Sequence, residues 1–360
     1  MDDHYLSTRI ALGHRRAASI DQLYSGLNEL EALAGNAATV DMHLLPVSRE
    51  KFEKLKLYTF RKPQESWLFA RDDAKDIYIC VDDASSGIDS SNVFAAIFFP
   101  ELHTRLVSWW LVHAWRFMDL ADATLNGLRE WRITISAVAS RALIEEVGCL
   151  LYEAKQIAEG WRKAKSLPAK GRPQQVRDLL HPLLAQAAFG SRGVAEVRGL
   201  RPATNVQTYV DKLAKASGEM EFLRWYAWLS NAAHPAVGSR IAYASQPLVH
   251  ETDTVVRRRF TRRPTSIQGK TEGLDFLIAH QSADATISAV KVGLPLLWKA
   301  LEIVDDVGLT THAATFTEQI YWRNLKPVRG NRWCPCAKGR WKSCQHDWGS
   351  PAPEISITLC

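Results

Sequence analysis

Over most of the chain, apolar residues recur every three to four positions among polar ones, the spacing of a helix that buries one face. Leu23, Leu27, Leu30 and Leu33 follow this rule and predict helix from residue 1 to about 45. The pattern changes at Trp67-Leu-Phe-Ala and Asp76-Ile-Tyr-Ile-Cys-Val, two β-favouring runs around the turn-like Arg71-Asp-Asp-Ala-Lys. They predict a short hairpin near residues 67–82, followed by a loop at Ser85-Ser-Gly-Ile-Asp-Ser-Ser. From about Val93 to Lys165 the helical period returns. It is clearest where Leu143, Val147, Leu150, Leu151, Ala154, Ala158 and Trp161 line one side. Two prolines and a glycine between Ser166 and Pro173 break it.

Shorter helices are predicted at about 173–189 and 204–216, with a stronger one at about 219–233. Pro235 ends the last, because the residue before a proline is pushed out of the helical region. An apolar helix is expected from Thr286 to Val307. Beyond Thr310 the sequence changes character, with Trp322, Trp333, Trp341 and Trp348 set among basic residues and close-spaced cysteines. There is no internal repeat at solenoid periods and no low-complexity tract.

Composition narrows the class. An apolar fraction of 46% and a charged fraction of 23% are those of a globular protein, and 360 residues suffice for one large domain with appendages or for two domains. Thirteen tryptophans are unusual. Each brings a large ring and one N–H, which suits helix-packing surfaces and interfaces. The net charge of +6 and pI near 9.0 permit an acidic partner without requiring one. Basic residues concentrate at Arg257, Arg258, Arg259, Arg262 and Arg263, and again from Arg323 to Lys342.

Met1-Asp-Asp-His does not open a signal peptide, and six cysteines do not make a secreted disulfide framework in a chain of this size. The greasiest window, Val93 to Met118, is interrupted by Glu101, His103, Arg105 and His113, so it reads as a buried helix and not a membrane span. A cytoplasmic protein is expected. Its oligomeric state is left open.

The sharpest chemical signal is Cys334-Pro-Cys336-Ala-Lys-Gly-Arg-Trp-Lys-Ser-Cys344-Gln-His346, a Cys-x-Cys pair and a Cys-x-His pair seven residues apart. Zinc takes four soft or borderline ligands in a tetrahedron, and two close pairs joined by a short turn supply them. Lys338, Arg340 and Lys342 offset the charge of the thiolates and favour their deprotonation. The expected metal is Zn, with Cys334, Cys336, Cys344 and His346 as ligands.

This segment resembles the SEC-C motif, a zinc knuckle found at the C-terminus of the bacterial preprotein translocase ATPase and on many otherwise unrelated bacterial proteins. Asn331, Cys334, Pro335, Cys336, Gly339, Arg340, Trp341, Lys342 and Cys344 follow its order. The loop here is one residue shorter, and Gln345 separates the third cysteine from His346, so His346 is the ligand least fixed by the motif. The resemblance covers about twenty residues. It implies zinc and a small docking surface for a protein, ribosome or nucleic acid, and no catalysis.

In the middle of the chain, Ser140-Arg-Ala-Leu-Ile-Glu145-Glu, Asn205-Val-Gln-Thr-Tyr-Val and Tyr226-Ala-Trp-Leu-Ser230-Asn-Ala-Ala-His234-Pro235 resemble an all-helical bacterial family, domain-of-unknown-function family 5677. The match is discontinuous over about 100 residues and implies no activity. On their own spacing, Tyr226, Ser230 and His234 line one helical row, and Arg141 and Glu145 another. If the rows face each other they form a polar cluster inside a bundle; alone, Arg141 and Glu145 are a surface ion pair and His234 a helix cap.

A catalytic version takes His234 as general base and Arg141 or Arg224 to stabilise phosphate charge, with Glu145 in the same candidate set, a metal-independent ribonuclease of toxin or phage-defence type. That is similar in outline to the HEPN superfamily, whose Arg and His lie four to six residues apart. Nine residues separate Arg224 from His234, so the motif is not met.

The sequence therefore predicts a mainly α protein: a helical bundle with a short β-hairpin and a C-terminal zinc knuckle. Its regions are an N-terminal helical part (1–92), a bundle core (93–310) and a basic, Trp-rich tail (311–360). The expected function is binding, with the tail docking on a protein or nucleic acid. The ribonuclease is the alternative.

Overall fold

The computed structural model describes residues 3–35, 45–47, 49–50, 69–72, 77–80, 93–166, 179–180, 183–184, 186–187, 203–235, 239–240, 243, 249–257, 260 and 274–310. These residues are mainly helical. The elements are α1 (Asp3–Leu12), α2 (His14–Leu30) with a π-helical turn at Glu31–Gly35, β1 (Leu45–Val47), β2 (Phe69–Asp72), β3 (Ile77–Cys80), α3 (Val93–Arg129), α4 (Ile133–Lys165), α5 (Val206–Ser217), α6 (Glu221–Ala233), β4 (Val249–Thr252), β5 (Val255–Arg257) and α7 (Leu274–Thr310). Where the hairpin is expected, β2 pairs antiparallel with β3, and β1 pairs with the other edge of β3.

The frame is three long helices. α3 and α7 each have 37 residues and α4 has 33, so each runs about 50 Å at the usual rise. A short turn at Glu130–Arg132 folds α4 back along α3, and cross-contacts fix the direction: the Ser136 hydroxyl donates to the Thr124 carbonyl at one end, and His113 meets Glu146 and Glu153 at the other. α7 runs antiparallel to α3, since Trp131 reaches Asp275 and Trp110 reaches Leu297. Trp131 makes the turn in the left-handed region at φ 56, where a β-carbon is crowded. Its ring is buried and set edge-on to Phe276, which offsets that strain.

α4 is the central helix. It packs on α3 and α7, and α5 and α6 lean on its other side. The predicted stripe is there, with Leu143, Val147, Leu150, Leu151, Ala154 and Trp161 buried and Ala158 partly buried against them. Ser136, Ser140 and Glu146 are buried too, because with neighbours on several sides little of α4 is left to face water. α5 starts where the Asn205 side chain accepts from the Gln207 N–H and ends at Gly218, left-handed at φ 72. α6 stops at extended His234, ahead of Pro235 as expected.

The core does not stop at residue 93. Ala11, Leu12, Leu23, Leu30 and Leu33 belong to the same buried cluster as α3, α4 and α7. α7 begins at Leu274, twelve residues before the helix expected at Thr286. Asp275, His280 and Asp284 interrupt the apolar pattern of that first stretch, yet each meets a partner from a distant part of the chain. Asp275 accepts from Trp131, His280 bonds the Ala11 carbonyl and Asp284 takes a two-pronged bond from Arg16. Among the described residues no helix is long and apolar enough to cross a membrane.

The tryptophans tie elements together. Trp109 donates to Glu153, Trp110 to the Leu297 carbonyl, Trp115 to the Ala34 carbonyl, Trp131 to Asp275 and Trp161 to Asp306. Each indole buries a large apolar surface and satisfies its one N–H on a different segment, so it fixes rotation and register between helices as well as filling space.

Candidate functional site

A largely buried polar centre lies between α3, α4 and α5. Trp109, His113 and Arg116 lie at spacings of four and three on α3, one turn apart on one face, and Glu146, Cys149 and Glu153 lie at three and four on α4. The two rows meet. His113 Nδ1 bonds Glu146 Oε1, and His113 Nε2 lies 3.0 Å from Glu153 Oε2. Arg116 Nε pairs with the second Glu146 oxygen at 2.8 Å, and the Trp109 indole donates to Glu153 at 2.8 Å. The Cys149 thiol donates to Glu153 Oε1 at 3.3 Å.

α5 closes the third side. A β-carbon on Gly148 would come 2.8 Å from the Tyr209 carbonyl oxygen, so only glycine lets this backbone sit so close to α4. That approach brings the Tyr209 hydroxyl into hydrogen bonding with Cys149.

Electrostatics follow from this burial. Desolvation by itself disfavours the charged imidazole, but the bonds to Glu146 and Glu153 and the charges of both carboxylates outweigh it and raise His113 to about 9. Burial pushes Glu153 up, but His113, Trp109 and Cys149 together hold it below the usual carboxylate range. Burial, then the charges of Glu153 and Glu146, keep the Cys149 thiol firmly protonated. His113 Nε2 or Nδ1, Cys149 Sγ and a Glu153 carboxylate oxygen supply one donor each, all within 4.8 Å of one another.

The residues singled out in the sequence divide. Arg141 Nε donates to Ser230 Oγ at 2.9 Å, Arg141 Nη2 donates to Tyr226 Oη at 2.8 Å and pairs with Glu145 at 2.9 Å. The guanidinium also lies 4.8 Å from the Tyr226 ring centre. Across α4 and α6 the Arg141 row meets Tyr226 and Ser230 of the other row, but not His234. Arg224 stands apart, exposed and paired with Glu221. His234 is exposed at the end of α6, its backbone N–H bonded to the Ser230 carbonyl. Among the described residues no hydrogen bond or ion pair joins the His234 side chain to either arginine. Cys334, Cys336, Cys344 and His346 lie outside the described residues.

Sequence reading passed over His113, Cys149 and Glu153. His113 looks like an interruption in an apolar window, Cys149 like one of several scattered cysteines, and Glu153 like a solvated helix position. The signal present was the Glu-x-x-Cys-x-x-x-Glu spacing at 146, 149 and 153, which puts three potential ligands on one helical face. Comparison of the chain with family models, curated proteins and solved structures gives no match. The centre is therefore read from its own geometry.

Proposed function

We propose that this is a nucleic-acid-binding protein in which a rigid helical body carries a basic zinc knuckle as its docking element. The observation that carries the reading is the run from Arg323 to Lys342. It holds Arg323, Lys326, Arg329, Arg332, Lys338, Arg340 and Lys342, no Asp or Glu, and Trp333 and Trp341 among the cysteines, with Trp322 just before it. Cations neutralise backbone phosphates and indole rings stack on unpaired bases, so this composition fits a single strand better than an apolar protein groove. Zinc on Cys334, Cys336, Cys344 and His346 gives the short segment a fixed shape.

The described body supports the same division of labour. The guanidinium of Arg141 is engaged by Ser230, Tyr226 and Glu145, which suits bracing α4 against α6. The ribonuclease alternative needs a base and a phosphate-binding cation side by side. Exposed His234 has no such bond to Arg141 or Arg224 among the described residues.

Binding of the full-length protein to labelled single-stranded RNA and DNA, followed against salt, tests the reading. Affinity should fall with a log–log slope of about −0.7 for each phosphate engaged. Replacing Cys334, Cys336 and Cys344 by Ser should weaken binding at least about tenfold. No binding at low salt, or binding indifferent to those substitutions, overturns it. RNA cleavage lost in His234→Ala would instead establish the nuclease.

A further inference from the structure

We propose that His113, Cys149 and Glu153 form a second metal site, inside the helical body, that takes a zinc-class divalent ion through imidazole Nε2, thiolate Sγ and carboxylate oxygen. The three donors converge from two helices, with Nε2 3.0 Å from Glu153 Oε2, Sγ 3.3 Å from Glu153 Oε1, and all three within 4.8 Å. Bonds to zinc of about 2.0 to 2.3 Å place tetrahedral ligands roughly 3.3 to 3.7 Å apart, so small side-chain shifts admit the ion.

The surroundings match what a histidine ligand needs. Glu146 holds Nδ1, the ring nitrogen facing away from Glu153, as carboxylates do when they fix the tautomer of a metal-bound imidazole. Arg116 steadies Glu146, and the Trp109 indole steadies Glu153. A nitrogen, a sulfur and one carboxylate suit zinc and related transition metals. Magnesium and calcium prefer oxygen-only shells. Three protein donors leave one tetrahedral position for water, the count of a reactive zinc site and not of a closed structural one.

Charge balances as well. The ion enters and two protons leave, one from the imidazole and one from the thiol, so a cluster of Arg116, His113, Glu146, Cys149 and Glu153 carries the same net charge before and after.

The site is independent of the knuckle, and the two are separable in one experiment. In the full-length chain with Cys334, Cys336 and Cys344 replaced by Ser, one equivalent of zinc should remain, by elemental analysis after dialysis against free metal. Cobalt in its place should give a thiolate-to-metal charge-transfer band. Adding Cys149→Ser, which keeps size and a hydroxyl for Glu153, should abolish the band, and His113→Gln should lower affinity at least about a hundredfold.

The cobalt spectrum before any change in the body keeps the test valid if a body variant misfolds. No zinc and no charge-transfer band in the knuckle-free chain overturns the site. So does a band that survives Cys149→Ser. Undiminished nucleic-acid binding by the knuckle-free chain with this metal retained would fault the knuckle's role and leave the site standing.

Discussion

His113 Nε2 and Glu153 Oε2 stand 3.0 Å apart across the seam of α3 and α4, forty residues apart in the chain, with Glu146 on the opposite ring nitrogen. A histidine held between two carboxylates in a buried setting couples its proton to the stability of the fold. In metal-stripped protein this makes a signed prediction. His113 is raised from 6.5 to about 9, so its contribution is complete below about pH 6.5 and is lost as pH rises through 9. The loss is on the order of 3 kcal/mol. Urea unfolding from pH 6 to 10 should show it, and His113→Gln should flatten that limb. An identical slope in the variant would refute the coupling.

Lys165 and Asp306 tie the end of α4 to α7. Their charges meet at 2.7 Å with Asp306 fully buried, and the Trp161 indole donates to the same oxygen at 2.6 Å. Lys165→Met strands most of a buried carboxylate charge and should destabilise by about 3 kcal/mol. Lys165→Met with Asp306→Leu should recover most of that, because the stranded charge is gone. A double-mutant cycle in urea measures both, and additivity would rule out the pairing.

Gly148 sets the distance between α4 and α5. Alanine there puts a β-carbon 2.8 Å from the Tyr209 backbone oxygen, which no side-chain rotation relieves. Gly148→Ala should cost about 1 to 3 kcal/mol even though alanine is the better helix former. It should also weaken metal uptake by the knuckle-free chain, because α5 must move away from Cys149. A stabilised variant would show that the close approach is absent in solution.

Arg141 braces α4 against α6 through Ser230 and Tyr226. Tyr226→Phe and Ser230→Ala should each cost about 1 to 2 kcal/mol, since a hydrogen bond to a charged group is lost while the guanidinium stays partly buried. Neither should change nucleic-acid affinity. Melting and binding measured on the same preparations separate the two outcomes; an affinity loss with unchanged melting would move this cluster from the frame to the interface.

Much of the helical frame was legible because its signals are local. The stripe from Leu143 to Trp161 reports a period of 3.6, Pro235 stops α6 by its own ring, and the two rows at Arg141 and Tyr226 announce themselves by four-residue spacing. The polar first stretch of α7 was not legible. Asp275, His280 and Asp284 look solvent-facing until Trp131, Ala11 and Arg16 arrive from distant parts of the chain.

By itself the sequence determined a helical protein, the ends of several helices and a cysteine-histidine spacing suited to zinc in its tail. Only the tertiary structure decided that His113 meets Glu146, Cys149 and Glu153, and that Arg141 closes on Tyr226 and Ser230 while Arg224 and His234 stay apart. Periodicity fixes which residues share a helical face, because that follows from backbone geometry within a turn. Which faces meet depends on how the whole set of apolar stripes packs while the buried indoles and charges that tie the helices find partners on other segments. That packing is a property of the assembled bundle and of no single segment.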